Sequence, residues 1–117
     1  MIGLGASTFS GCYSLTSVKI PNGPLTIGSN VFYYCTSLNT VIIPKSVKSI
    51  GYYSFYYDIK LEKIFYEGSE EDWAKVTINS NSEMRSSAIK YYYSETKPEE
   101  AGNYWYYDTN GVPTIWS

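Results

Sequence analysis

The sequence predicts a mainly β solenoid built from turns of about 23 residues, followed by a C-terminal cap that contains a short helix and a β-hairpin. Three observations carry that expectation. Apolar and glycine positions recur at one spacing from Leu4 to Tyr66, the spacing stops after Tyr66, and an acidic helix start and two aromatic strand segments follow. The predicted organisation is residues 1–66 as about two and a half to three turns and residues 67–117 as the capping region.

Shifting the chain against itself by one such turn superposes Leu4-Gly5, Ile27-Gly28 and Ile50-Gly51, then Phe9, Phe32 and Phe55, then Leu15, Leu38 and Leu61. The same register carries Val18, Val41 and Ile64, Ile20, Ile43 and Tyr66, and Pro21 with Pro44. A period in the twenties marks a solenoid, whose turns cannot bury their apolar side alone and must stack. Within a turn, Leu38-x-x-Val41-x-Ile43 is a strand whose alternation sends Val41 and Ile43 inward, as it sends Val18 and Ile20 inward and Ser17 and Lys19 outward one turn earlier. Pro21 and Pro44 end their strands because proline cannot donate to the ladder.

The run Ile27-Gly28-x-x-x-Phe32-x-x-Cys35-x-x-Leu38-x-x-Val41-x-Ile43-Pro44-x-Ser46-Val47-x-x-Ile50-Gly51 resembles the BspA-type leucine-rich repeat of bacterial cell-surface proteins, over residues 1 to about 66. The resemblance implies a parallel sheet on one side of a right-handed coil. It also implies an extracellular or cell-surface location and adhesion to a host or bacterial surface protein or glycan. Three departures stand out. Asn22-Gly23-Pro24-Leu25 replaces the corner Lys45-Ser46-Val47-Lys48, Asp58 replaces the expected cysteine, and Tyr66 ends its strand without a proline. The array is expected to close there.

In the cap, Ser69-Glu70-Glu71-Asp72-Trp73-Ala74-Lys75-Val76 reads as a short helix with Ser69 as N-cap and Asp72 completing a capping box. Trp73 and Val76, three apart, share its expected buried face, and Trp73 is the candidate structural anchor. Residues 88–93 suit a strand, and residues 104–116 a hairpin turning at Asn110-Gly111. Asp108-x-Asn110-Gly111 has part of a calcium-loop spacing but lacks the remaining ligands, so the turn reading is preferred.

Composition narrows the function classes. Nine basic and eleven acidic residues give a net charge of −2, which offers no general attraction to nucleic acid or an anionic membrane. The charges are uneven, with three lysines and no acid in residues 1–57 and eleven acids in residues 58–117. No apolar run reaches the roughly eighteen residues of a membrane span. The start lacks the features of a secretion signal while the repeat is already under way at Leu4, so a longer parent carrying its own export signal is expected upstream. An unpaired first strand then offers an edge for self-association.

The chain has no histidine, and neither a nucleophile elbow nor a phosphate-cradling loop is present, so no catalytic residue, metal or cofactor is assigned. Paired carboxylates such as Asp58 with Glu62 leave a glycoside-acting accessory domain only as a remote alternative. Cys12 and Cys35 stand one period apart, on the order of 5 Å between Cα atoms on neighbouring turns, and parallel side-chain directions favour a buried thiol ladder over a disulfide.

The candidate binding surface has two parts. Tyr33 with Tyr56, and Tyr34 with Tyr57, form two expected stacks that either pack between turns or present an aromatic platform to a sugar or a protein. On the outer face of the sheet, Lys19, Ile42 and Phe65 form a row whose two apolar members call for a cover, either a partner or the cap itself. The alternative to a binding module is a purely structural end cap.

Overall fold

A computed structural model of the chain describes residues 3–4, 9, 11–23, 26–52, 54–55, 58, 60–78 and 88–116. Its elements in chain order are β1 (Gly3–Leu4), β2 (Ser17–Lys19), β3 (Thr26–Ile27), β4 (Thr40–Ile43), β5 (Ser49–Ile50), β6 (Lys63–Tyr66), α1 (Glu70–Ala74), β7 (Thr77–Ile78), β8 (Ile89–Tyr93), β9 (Tyr104–Tyr107) and β10 (Pro113–Ile115). The strands form two sheets. A narrow one has the order β1-β3-β5-β7, and a wide one runs β10-β9-β8-β6-β4-β2, with β2 and β10 at its edges.

Stacking of like on like sets the register. Val18 pairs with Val41 and Val41 with Ile64, while on the narrow sheet Leu4, Ile27 and Ile50 follow one another, all in parallel. A third side is tied by backbone bonds between turns, among them Phe9 N–H to Val31 O at 2.8 Å and Phe32 N–H to Ser54 O at 2.9 Å. Beside those bonds the rings of Phe9, Phe32 and Phe55 stack at 5.5 and 5.3 Å. Where Gly28 and Gly51 meet, a Cβ on Gly51 would lie 2.6 Å from the backbone of Gly28, so the close approach of the two turns requires glycine. The core enclosed by the three sides holds Ile27, Phe32, Leu38, Ile43, Ile50, Leu61, Ile64 and Tyr66, none more than 1% exposed.

The parallel stacking continues beyond Tyr66. Ile78 pairs with Ile50 on the narrow sheet and Tyr91 with Phe65 on the wide one, so a further turn follows with longer spacing. Twelve residues separate Tyr66 from Ile78 against seven between Ile43 and Ile50, and the difference of five equals the length of α1. The helix is thus a looped-out corner. It is closed by a capping box in which the Ser69 hydroxyl accepts from Asp72 N–H at 3.1 Å and Asp72 accepts from Ser69 N–H at 3.1 Å. None of its five residues is buried. Trp73, expected on a buried face, is half-buried and packs edge-on against Tyr66 at 5.0 Å, because a single helical turn leaves its indole at the rim of the core.

Past β8 the wide sheet curls. β9 pairs with the last two residues of β8 in parallel, and β10 returns antiparallel through a turn at Asp108–Gly111. Gly111 has φ +76°, and the Asp108 side chain accepts from Asn110 N–H at 2.8 Å and Val112 N–H at 2.9 Å, so this carboxylate holds the turn.

Candidate functional site

On the outer row of the wide sheet the cover is the chain's own C-terminal region, one of the two covers that the sequence called for. Ile42 is 9% and Phe65 4% exposed, and both belong to a second apolar cluster with Tyr91 and Trp105, flanked by Tyr93 and Tyr107. Alternation along β9 sends Trp105 and Tyr107 to one face and Tyr104 and Tyr106 to the other. The Trp105 ring lies 5.0 Å from Phe65, and its indole N–H donates to Tyr66 O at 2.8 Å. The strand β4 is therefore covered on both faces, which is why Thr40-Val41-Ile42-Ile43 is nearly continuously apolar. Ile42 and Phe65 are corrected from candidate binding residues to core residues.

Lys19, at the open end of the same row, keeps its chain exposed and sets its ammonium 4.9 Å above the ring of Tyr107. The Tyr107 hydroxyl donates to Glu67. Burial and this bond to a carboxylate raise the phenol well above its usual range. One tyrosine of β9 thus bridges an edge lysine of β2 and the residue that follows β6.

Of the two tyrosine stacks, Tyr56 and Tyr57 lie outside the described residues. Tyr33 and Tyr34 meet edge-to-face at 5.0 Å. Tyr34 is 39% exposed and has φ +61°. One turn earlier the same position is Gly11, with φ +72°. That pairing of glycine and tyrosine one period apart is visible in the sequence, and it is the signal that marks Tyr34.

The column of Cys12, Cys35 and Asp58 runs along the interior. Both cysteines are free, and the Cys35 thiol donates to Phe9 O at 3.1 Å while its backbone N–H donates to an Asp58 carboxyl oxygen at 2.9 Å. Cys35 and Asp58 each bond the preceding turn. Burial, then the neighbouring Asp58, pushes the Cys35 thiol up to about 11, which keeps it protonated and unreactive at neutral pH. Titration of the unfolded, non-reduced protein with a thiol reagent is expected to count two thiols per chain. A count of zero at unchanged monomer mass would show a disulfide instead.

Asp58 is 0% exposed, and its second carboxyl oxygen has no hydrogen-bond partner among the described residues. Burial pushes this carboxyl up to about 8, against the lowering effect of the Cys35 N–H. Among the described residues no three His, Cys, Asp or Glu side chains stand together as a metal-holding group. No helix among them is long and apolar enough to cross a membrane.

The family model described as "BspA type Leucine rich repeat region (6 copies)" matches residues 2–112. A solved structure of a leucine-rich cell surface protein from Faecalibacterium prausnitzii A2-165 is 35% identical, with a TM-score of 0.65, over 68% of this chain. The match spans 21% of that protein. No curated protein matches.

Proposed function

From the chain's membership of the BspA-type leucine-rich-repeat family, we propose that it serves as a non-catalytic recognition module of a larger extracellular surface protein, presenting tyrosines to a protein or glycan on a host or bacterial surface. The observation that carries this reading is Tyr34. A non-glycine residue in the left-handed region costs about 1–2 kcal/mol, and the side chain that incurs this cost is left 39% exposed rather than buried. An aromatic held partly outward beside a second ring suits stacking on a sugar or a partner side chain. The absence of histidine and the protonated Cys35 thiol fit a role without catalysis.

A second reading is favoured by a different observation, the burial of Ile42 and Phe65 under Trp105. In that reading residues 67–117 act chiefly as the structural end of the array, closing the face that the repeats leave apolar.

Tyr34→Gly separates the two. The variant is expected to melt at or above the wild-type temperature, because glycine relieves the backbone. Retention on an array of glycans and matrix proteins is expected to fall by about tenfold or more. Equal retention by the two proteins, or no wild-type retention above an albumin-coated control, would leave only the structural reading.

A further inference from the structure

Cys12, Cys35 and Asp58 stand 23 residues apart in one column of the repeat, and each follows a residue at the same corner, Gly11, Tyr34 and Tyr57. At that corner Gly11 and Tyr34 both take the left-handed backbone, with φ +72° and +61°. We propose that Asp58 is a positioning residue for Tyr34: its buried carboxyl takes the amide that follows the tyrosine and holds the ring in its partly exposed orientation. The role rests on the reading of Tyr34 as a recognition group.

The first two turns form an internal comparison. Each column residue closes its own turn, Cys12 N–H donating to Phe9 O at 3.2 Å and Cys35 N–H to Phe32 O at 3.3 Å. They differ in what the next turn adds. After Gly11, the side chain one turn on is the Cys35 thiol, which donates to Phe9 O at 3.1 Å and offers the Cys12 N–H no acceptor. After Tyr34, an Asp58 carboxyl oxygen accepts from the Cys35 N–H itself at 2.9 Å, inside the core. Glycine takes the left-handed conformation freely, whereas a tyrosine is strained in it. The extra acceptor therefore stands at the turn whose corner needs holding. Because the peptide is planar, a bond on the Cys35 N–H fixes the plane that leaves Tyr34, and with it the tyrosine's ψ.

A carboxyl is a costly way to supply one acceptor. Asp58 is 0% exposed, and its second oxygen is the one buried side-chain nitrogen or oxygen without a partner among the described residues. A cysteine, as in the two turns before, leaves no such orphan. Sulfur is a weak acceptor, however, and in this column the Cys35 thiol donates, so the residue type of the earlier turns cannot hold the amide. Asp58 itself is well anchored. Its N–H donates to Phe55 O at 3.3 Å and its carbonyl accepts from Leu61 N–H at 3.1 Å, so the carboxyl is presented from a fixed corner. Burial keeps the group mostly protonated at neutral pH, which makes asparagine its near-isostere.

The test is NMR of the whole chain. Wild type is expected to show a scalar coupling across the hydrogen bond, from the Cys35 amide nitrogen to the Asp58 carboxyl carbon, and at Tyr34 the strong intraresidue amide-to-Hα NOE of a left-handed residue. Asp58→Asn keeps an acceptor oxygen and is expected to keep both signals. Asp58→Cys removes the acceptor and restores the residue type of the column. In it the Tyr34 NOE is expected to weaken and the Cys35 amide proton to move upfield, while the core amides of Leu38 and Ile64 keep their wild-type positions. Retention on an array of glycans and matrix proteins is expected to fall about threefold or more in Asp58→Cys and to stay near wild type in Asp58→Asn. An unchanged Tyr34 NOE in folded Asp58→Cys overturns the positioning role, as does a loss that Asp58→Asn shares or the absence of the coupling in wild type. Wild-type protein that retains nothing on the array overturns the recognition reading instead, since the NMR signals decide the positioning without any ligand.

Discussion

Trp105→Ala is expected to be the most destabilising single substitution on the outer face of the sheet. The indole is 0% exposed and lies 5.0 Å from Phe65, 5.3 Å from Tyr93 and 4.8 Å from Tyr107, ring centre to ring centre. Truncation opens a cavity at the centre of the second cluster, and large-to-small changes of this kind cost about 3–5 kcal/mol. It also removes the donor to Tyr66 O, leaving a buried carbonyl short of a partner at a further cost of about 1–3 kcal/mol. At this chain length the midpoint is expected to fall by roughly 10 °C or more. Trp73→Ala should cost less, since that ring is only half-buried. Tyr13→Ala, at a site 63% exposed, should stay within about 0.5 kcal/mol of wild type. Trp105→Phe tests the two contributions separately, because it keeps most of the apolar volume and deletes only the donor. A thermal melt of Trp105→Ala within a few degrees of wild type would show that the hairpin does not hold the sheet.

The second large effect is a pH dependence centred on Asp58. In the unfolded chain an aspartate ionises near 3.9, whereas in the fold burial holds this carboxyl up to about 8. The folded state therefore keeps one more proton than the unfolded state between those values, and stability falls as pH rises through that window. The stabilisation is fully present below about 4 and lost by the time pH passes about 8, an effect of at most about 6 kcal/mol. Asp72 works in the opposite sense at the acid end. Its bonds from Ser69 lower its pKa, so its contribution is present above the unfolded value and lost on further acidification. Urea unfolding at pH 5 and pH 8.5 avoids that second window. Wild type should be clearly weaker at pH 8.5, while Asp58→Asn and Asp58→Cys, the latter restoring the residue type of the column, should show little slope. A wild-type slope that survives both substitutions would place the titrating group elsewhere.

The legible part of the fold is the part that repeats. Phe9, Phe32 and Phe55 or Val18, Val41 and Ile64 can be read from the sequence because each turn meets a copy of itself, so one spacing reports one environment. The capping box at Ser69 and Asp72 and the turn at Gly111 were legible for a related reason. Their chemistry closes within four residues. The further turn through Ile78 and Tyr91 was hidden because the inserted helix lengthens its spacing, and self-comparison at a fixed shift no longer detects it.

The stacking period, the inward rows and the family are written in the amino-acid sequence. Only the tertiary structure decided which face is left open. Whether Phe65 is a binding residue or a core residue depends on Trp105, forty positions away, and no local pattern encodes that meeting. The same holds for Asp58, whose composition says carboxylate but whose protonation follows from the burial around it. The physical reason is common to both: propensity and periodicity act over a few residues or one repeated spacing, whereas desolvation is set by whatever the completed chain brings alongside.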